Sequence, residues 1–374
     1  MFDFLPAPLS SIVPFVIALG ILVFIHELGH YLAARAVGVH VEAFSIGFGN
    51  SVLRWKDRRG CEWRIGWLPL GGYVKLHGQE QPTEAGADVK AAWIPGKTFH
   101  EQRVAARALV IAAGPIANFL LAAVLFIGLF GFVGRVVPLS TPLVSEVSGG
   151  GAAASAGMRI GDRIDAIGGV PTPTVTDVIR IVSASPDKAL ALTVHRGTAD
   201  VALTATPMSE GDGAKRVGKL GISLSASRIE RVSWASAVPD GLARTWNVTT
   251  GTLDGVWQVI TGRVSVRELG GPVRIAQLSG QFAAEGIVSL IGLIALLSVN
   301  LGLMNLFPIP VLDGGHLLFF LAEAIRGRPL PARALDYSLR AGVAAIAALF
   351  VVITVNDLSR MGLFHWVAGL VGQV

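Results

Sequence analysis

The sequence predicts a polytopic α-helical membrane protein with four transmembrane helices, a membrane-associated β-hairpin region and a small α+β domain inserted between the second and third spans. Three observations carry this. Of 374 residues, 52% are hydrophobic and only 15% charged, and the mean hydropathy is +0.59, far outside the range of soluble proteins. Four apolar windows are each long enough for one crossing: about Ile12 to Ala34, Val104 to Val133, Ile287 to Phe307 and Leu339 to Val355. Between the second and third windows the pattern changes to short strands separated by Gly-rich turns.

The first span, within residues 1–36, has no basic stretch before it and no small-residue cleavage site after it, so it is expected to be a retained helix rather than a signal peptide. Residues 37–103 carry Arg54, Lys56, Arg58, Arg59, Arg64, Lys75 and Arg103, and residues 323–338 carry Arg326, Arg328 and Arg333, whereas residues 1–22 have no Lys or Arg. The positive-inside rule puts those two loops in the cytoplasm, with both termini and the segment of about 135–286 outside. Topology thus accounts for the net charge of +5. The basic residues sit in juxtamembrane loops with no nucleic-acid-binding motif, so no nucleic acid is expected as a partner. The lone cysteine, Cys61, excludes an intramolecular disulfide.

The first span ends in the string HELGH. On a helix His26 and His30 share one face, and Glu27, about 100° round from His26, can still approach whatever the histidines hold. Two neutral imidazoles at this spacing bind Zn²⁺, and the glutamate takes a proton from the water that attacks. A pair of core histidines bonded between helices is the bland alternative. It fares poorly where three polar groups at bilayer depth need partners. Catalytic zinc usually has three protein ligands. The strongest candidate for the third is Asp313 in NLGLMNLFPIPVLDGGHLL, after a span broken by Pro308 and Pro310. His316 is a weaker contender, and Asp313 could instead cap the following helix. Asn305 could hydrogen-bond a substrate backbone or the loop itself.

Taken together, HELGH, GPIANF in the second span, FSIGFG, PLGGYVKL, LLSVNLG and NLFPIPVLDGG resemble the site-2 protease family of intramembrane zinc metalloproteases, and within it the RseP-like bacterial branch. The resemblance runs nearly end to end. HELGH matches the family's HExxH, and NLFPIPVLDGG matches its N-x-x-P-x-P-x-L-D-G signature. It implies that His26, His30 and Asp313 bind Zn²⁺, that Glu27 is the general base and that Asn305 helps to hold the substrate. It also implies a bacterial inner (cytoplasmic) membrane location, with the site towards the cytoplasm. The reaction implied is hydrolysis of a peptide bond within or beside the transmembrane helix of a single-pass protein, after an upstream outer-side protease has cut. Substrates implied are a membrane-anchored anti-sigma factor in envelope-stress signalling and remnant signal peptides.

The remaining segments fit that expectation. Phe44 to Leu76 reads as two strands around Arg59-Gly60, with Trp55, Trp63 and Trp67 suited to the lipid bilayer interface. The family places a membrane-associated hairpin here, near the site, and an edge strand could pair with an unwound substrate. After the span of 104–134, residues 135–225 contain AGMRIGDRIDAIGG, which resembles the bacterial PDZ signature: Gly161-Asp162 turns into a strand, and Ile164 and Ile167 point inward. The fold class is thus completed by an inserted PDZ-like (α+β) domain; enteric members of the branch have two in tandem, and here the length admits one. Residues 226–286 read as amphipathic, with Trp234, Trp246 and Trp257 as interface anchors. Residues 287–322 and 339–374 contain the last two spans. A non-catalytic PDZ-bearing scaffold with a structural metal is the alternative, and Glu27 argues against it, because a structural zinc has no use for an unliganded carboxylate beside it.

Overall fold

The computed structural model describes residues 6–79, 86–210, 216–265 and 270–360. Two compact units emerge, one from Met1–Phe130 with Trp234–Val374, the other from Gly131–Ser233. The first begins with helix α1 (Ala7–Ala36), apolar from Ile12 to Ile25 and closed by Arg35 in its last turn and by Gly38 at φ +87. A Lys or Arg near the last carbonyls complements the helix dipole, and glycine takes the left-handed conformation that stops the helix without a Cβ penalty.

Strands β1 (Val41–Lys56) and β2 (Glu62–Leu76) follow. They form more than a simple hairpin. Beyond the turn at 57–61, Lys56 pairs with Glu62 and Ser51 with Gly66; β1 bends near Gly47 and Gly49, both at positive φ, so its first half lies between two stretches of β2. Phe44 stands opposite both Val74 and Trp63, and Ile46 opposite both Gly72 and Ile65. Phe44, fully buried, packs with Tyr31, Val41, Leu76, Phe99 and Val110, which fastens the sheet to α1 and to the second span. Burying such a side chain contributes about 1.5–3 kcal/mol. Of the three tryptophans expected at an interface, Trp55 and Trp67 are exposed, but Trp63 packs on Phe44 at a ring separation of 4.3 Å and on Tyr31 at 5.4 Å. The fold-back turns its side of β2 onto the neighbouring stretch.

After the short helix α2 (Ala87–Ala91), the second span is α3 (Val104–Phe132), which buries Gly114, Pro115 and Asn118. The chain then enters the second unit: β3 (Arg135–Val147), α4 (Ala152–Ser155), β4 (Arg163–Ile167), β5 (Val170–Pro171), α5 (Val175–Ser183), β6 (Leu190–Arg196), β7 (Ala199–Ala205), β8 (Met208–Glu210), β9 (Val217–Lys219) and β10 (Ile222–Glu230). Its main sheet has the order β10-β3-β4-β6-β7, with β5 paired to β4. Ile164 and Ile167 do point inward, joining Val144, Val178, Leu192 and Val194 in a fully buried core. The sheet runs to Glu230, past the expected boundary at 225, because β10 stays paired with β3 as far as Arg135.

The chain rejoins the first unit as α6 (Trp234–Ile260), α7 (Pro272–Glu285), α8 (Ile287–Asn305), α9 (Asp313–Arg326) and α10 (Ala332–Arg360). On α6, Val238, Leu242, Trp246, Leu253, Trp257 and Ile260 are exposed on one stripe at helical spacing. Among the described residues, four helices are long and apolar enough to cross a membrane: Leu9–Ala36, Val104–Phe132, Ile287–Asn305 and Ala332–Asp357. Leu349 to Val352 on α10 are all exposed apolar residues, as a lipid-facing surface requires. The segment 287–322 is two helices, since α8 stops at Asn305 and α9 starts at Asp313, with Pro308 and Pro310 between them. The end of the last segment, 361–374, lies outside the described residues.

Candidate metal centre

Three elements converge on HELGH. α1 presents His26 and His30, α3 crosses behind them, and α9 brings Asp313 to its own first turn. Asp313 Oδ2 lies 3.2 Å from His26 Nε2 and 3.5 Å from His30 Nε2, and the two Nε2 atoms are 3.2 Å apart. The three donors all fall within 4.8 Å of one another. The sequence-predicted ligands are therefore brought together from distant parts of the chain.

The far sides of both rings are also held. His30 Nδ1 donates to the Val110 carbonyl at 2.8 Å, which leaves Nε2 as a lone pair facing Asp313. His26 Nδ1 stands 3.2 Å from the side-chain amide of the fully buried Asn118. The Asn118 Oδ1 has no partner among the described residues, and turning the amide over lets it accept the His26 Nδ1–H. Ser298 on α8 donates to the Asn118 carbonyl at 2.8 Å.

Asp313 Oδ2 is buried and receives no hydrogen bond among the described residues, although two imidazole nitrogens face it. A carboxylate oxygen opposed by two lone pairs in a dry site is unfavourable unless a cation lies between them. Two nitrogens and one carboxylate oxygen form a donor set suited to zinc, with one coordination position left for water or substrate.

Glu27 is buried beside this cluster and takes no hydrogen-bond partner among the described residues. Gly72 of β2 lies against it, since a Cβ there would stand 3.0 Å from Glu27 Cγ and 2.8 Å from Val23 Cγ1. The stretch Gly72–Leu76 pairs with Val41–Ile46 on one side, and its other edge carries no strand among the described residues.

The loop before Asp313 is tightly wound. Ile309 donates to the Phe307 carbonyl at 2.7 Å and Leu312 to the Ile309 carbonyl at 3.0 Å, while Val311 holds φ +91, a costly conformation for a β-branched residue. Gly314 and Gly315 fit only without a Cβ, which would fall 2.3 Å from the Leu306 carbonyl oxygen and 2.4 Å from that of Ile309. Asn305 Nδ2 donates to its own helix at Leu301, 3.0 Å away, and so is not bonded to the cluster. His316 faces the Leu312 carbonyl at 3.1 Å and stands outside the donor set. Asn118 and Gly114 entered the sequence analysis only within GPIANF, and Gly72 only within PLGGYVKL, none of them with a role in the site. A buried polar residue in an apolar span was the available signal for Asn118.

Residues 14–349 match peptidase family M50. A protein of Agrobacterium fabrum named as a zinc metalloprotease is 42% identical over 363 residues, covering 94% of this chain and 96% of its own length. The metalloprotease MmpA of Caulobacter vibrioides is 35% identical, covering 97% and 98%. The regulator of sigma E protease of Salmonella typhi is 31% identical, covering 94% and 99%.

Proposed function

The chain belongs to peptidase family M50, the site-2 proteases, and is a membrane zinc metalloprotease; on that footing we propose that it cuts single-pass membrane proteins within or beside their transmembrane helix. The observation that carries this is the convergence of half-buried His26 and Asp313 with buried His30 and the unpartnered, buried Glu27 beside helices apolar enough to lie in a bilayer. His26, His30 and Asp313 would hold the zinc, which when bound supplies a Lewis acid that brings the pKa of its water to about 7.

The chain's own residues do the rest. Glu27 accepts the proton of the attacking water and returns it to the leaving amine, so that water and one peptide bond become a carboxylate and an amine. The open edge at Gly72–Leu76 offers backbone partners to a substrate helix that must unwind before its peptide groups are accessible. In this reading Asn305, at the end of α8, bonds a substrate backbone after releasing Leu301. We read the unit Gly131–Ser233 as a PDZ-like peptide-binding domain on the outer face, supported by its small sheet, α5 and the Gly161-Asp162 turn. In this reading the basic loops are cytoplasmic, both termini are periplasmic, and the physiological substrate is an anti-sigma factor already trimmed by an outer-side protease.

The test is cleavage of a tagged single-pass substrate in liposomes by the wild type and by Glu27→Gln, with bound zinc quantified in each. Equal zinc in both and cleavage by the wild type alone supports the assignment. Zinc in both and cleavage by neither favours a scaffold with a structural metal.

A further inference from the structure

Beside the last turn of α1 a cavity of about 190 Å³ opens, lined among others by Tyr31, Arg35, His40, Arg59, Cys61 and Lys97. At about 30 Å³ of liquid volume per water it has room for roughly six waters, or for a phosphate group. Three of those side chains are cations and none is an anion. Asp57 is not among the lining residues, and its carboxylate is taken up by four donors: Oδ1 accepts the backbone N–H groups of Arg59 at 2.8 Å and Cys61 at 3.0 Å, and Oδ2 accepts the Tyr31 hydroxyl at 3.2 Å and Trp63 Nε1–H at 3.3 Å. Arg35 donates to the Tyr31 hydroxyl, and Arg59 and Lys97 have no ion-pair partner among the described residues.

Cations gathered around one concave space repel one another unless an anion lies among them. Other occupants fit poorly. A metal cation meets three like charges. Burial and the neighbouring Asp57 push the Cys61 thiol up to about 11, so it stays protonated and is neither a nucleophile nor a thiolate ligand. Burial also holds the His40 pKa down, which leaves a neutral ring able to donate one N–H. The weak negative end of the α1 dipole opposes an anion, and Arg35 in the last turn offsets it.

The position selects the source of the anion. Arg35 falls at the end of the apolar stretch Leu9–Ala36, where a crossing helix reaches the headgroup layer, and Trp55 on the neighbouring sheet is exposed as interfacial tryptophans are. We propose that this cavity binds a phosphate-bearing anion, supplied by the headgroup of an acidic phospholipid. The occupant would join the end of the helix bearing His26 and His30 to the hairpin turn at Arg59 and the loop at Lys97.

The experiment compares the full-length chain with Arg59→Gln/Lys97→Gln, two positions that do not touch the candidate metal centre. Retention of phosphatidylglycerol and of phosphatidylcholine is read by native mass spectrometry, and thermal shift with inorganic phosphate is read in parallel at matched ionic strength. Each cation removed should lower phosphatidylglycerol retention about fivefold, and both together about 25-fold, with phosphatidylcholine unaffected. A phosphate-dependent shift in the wild type alone, without lipid retention, would keep the anion pocket but overturn the lipid as its source. Equal phosphatidylglycerol retention and equal phosphate response in wild type and double variant would overturn the proposal. Zinc content checks that the variant is folded, and if it is not, Lys97→Gln alone carries the comparison at the fivefold level.

Discussion

Gly114 of α3 and His30 of α1 stand so close that a Cβ on the glycine would lie 2.3 Å from His30 Nε2 and 2.9 Å from His26 Cε1. The missing side chain is what lets α3 back the two imidazoles. Gly114→Ala should therefore displace both rings from Asp313. Zinc affinity is expected to fall by at least 10- to 100-fold, the range seen for damaged outer-shell support. Metal analysis of the purified variant, with circular dichroism to show an intact helical fold, checks this; full zinc occupancy would contradict the geometry.

Asn118 makes a subtler prediction. Its amide holds His26 from the side opposite the ligand atom. Asn118→Ala should leave the helices in place and weaken zinc retention about 10-fold or more, by freeing the imidazole to rotate and change tautomer. Competition with a graded chelator series reads the difference directly. An unchanged chelator midpoint would mean that Asn118 serves packing alone.

Arg107 on α3 donates to Glu323 on α9 at 2.6 Å, with both side chains 14% exposed, and lies 5.0 Å over the Phe320 ring. This pair ties the helix that carries Asp313 to the one that supports the histidines. Removing one partner should destabilise by about 3–5 kcal/mol because it strands the other charge, while replacing both with leucine should cost much less. Thermal unfolding of Arg107→Leu, Glu323→Leu and the double variant tests the asymmetry.

Asp162 in the β unit is fully buried and accepts from Arg196 Nε and Nη2, each at 2.7 Å, and from the Arg159 N–H at 2.8 Å. The Arg196 guanidinium, and then the Arg159 N–H, hold its carboxyl below the usual range. A depressed folded-state pKa gives stability that is present above the unfolded value of about 3.9 and is lost as pH falls through the folded one. Amide protection in this unit, taken as exchange relative to the intrinsic rate at each pH, should fall in the wild type as pH drops below the unfolded carboxyl value of about 3.9. Asp162→Asn should exchange faster at pH 7 and lose most of that pH dependence.

The spans, the HELGH face, the position of Asp313 and the strands around Arg59-Gly60 were legible because each rests on local signals: apolar length, helical spacing, paired prolines, a Gly turn. What was not legible depends on contacts between distant segments. Trp63 sits on a strand whose pattern suits an interface, and only the second pairing of β1 shows that it packs inward. Gly114 opens the GPIANF motif, but its role as the gap that admits the imidazoles shows only once α1 lies against it. The left-handed Val311 defies its own propensity, held between two prolines' worth of constrained backbone and the start of α9. Asn305 was expected near substrate, and its bond to Leu301 places it on its own helix in the absence of one.

The candidate metal centre draws its histidines from α1 and its carboxylate from α9, near opposite ends of the chain. During synthesis the ribosome delivers His26 and His30 long before Asp313 exists, so an unfinished chain in the membrane has half a site and no third ligand. Proteolytic competence therefore arrives late, when the last third of the protein has been inserted and α9 has docked. A product truncated before Asp313 lacks the third candidate ligand by construction.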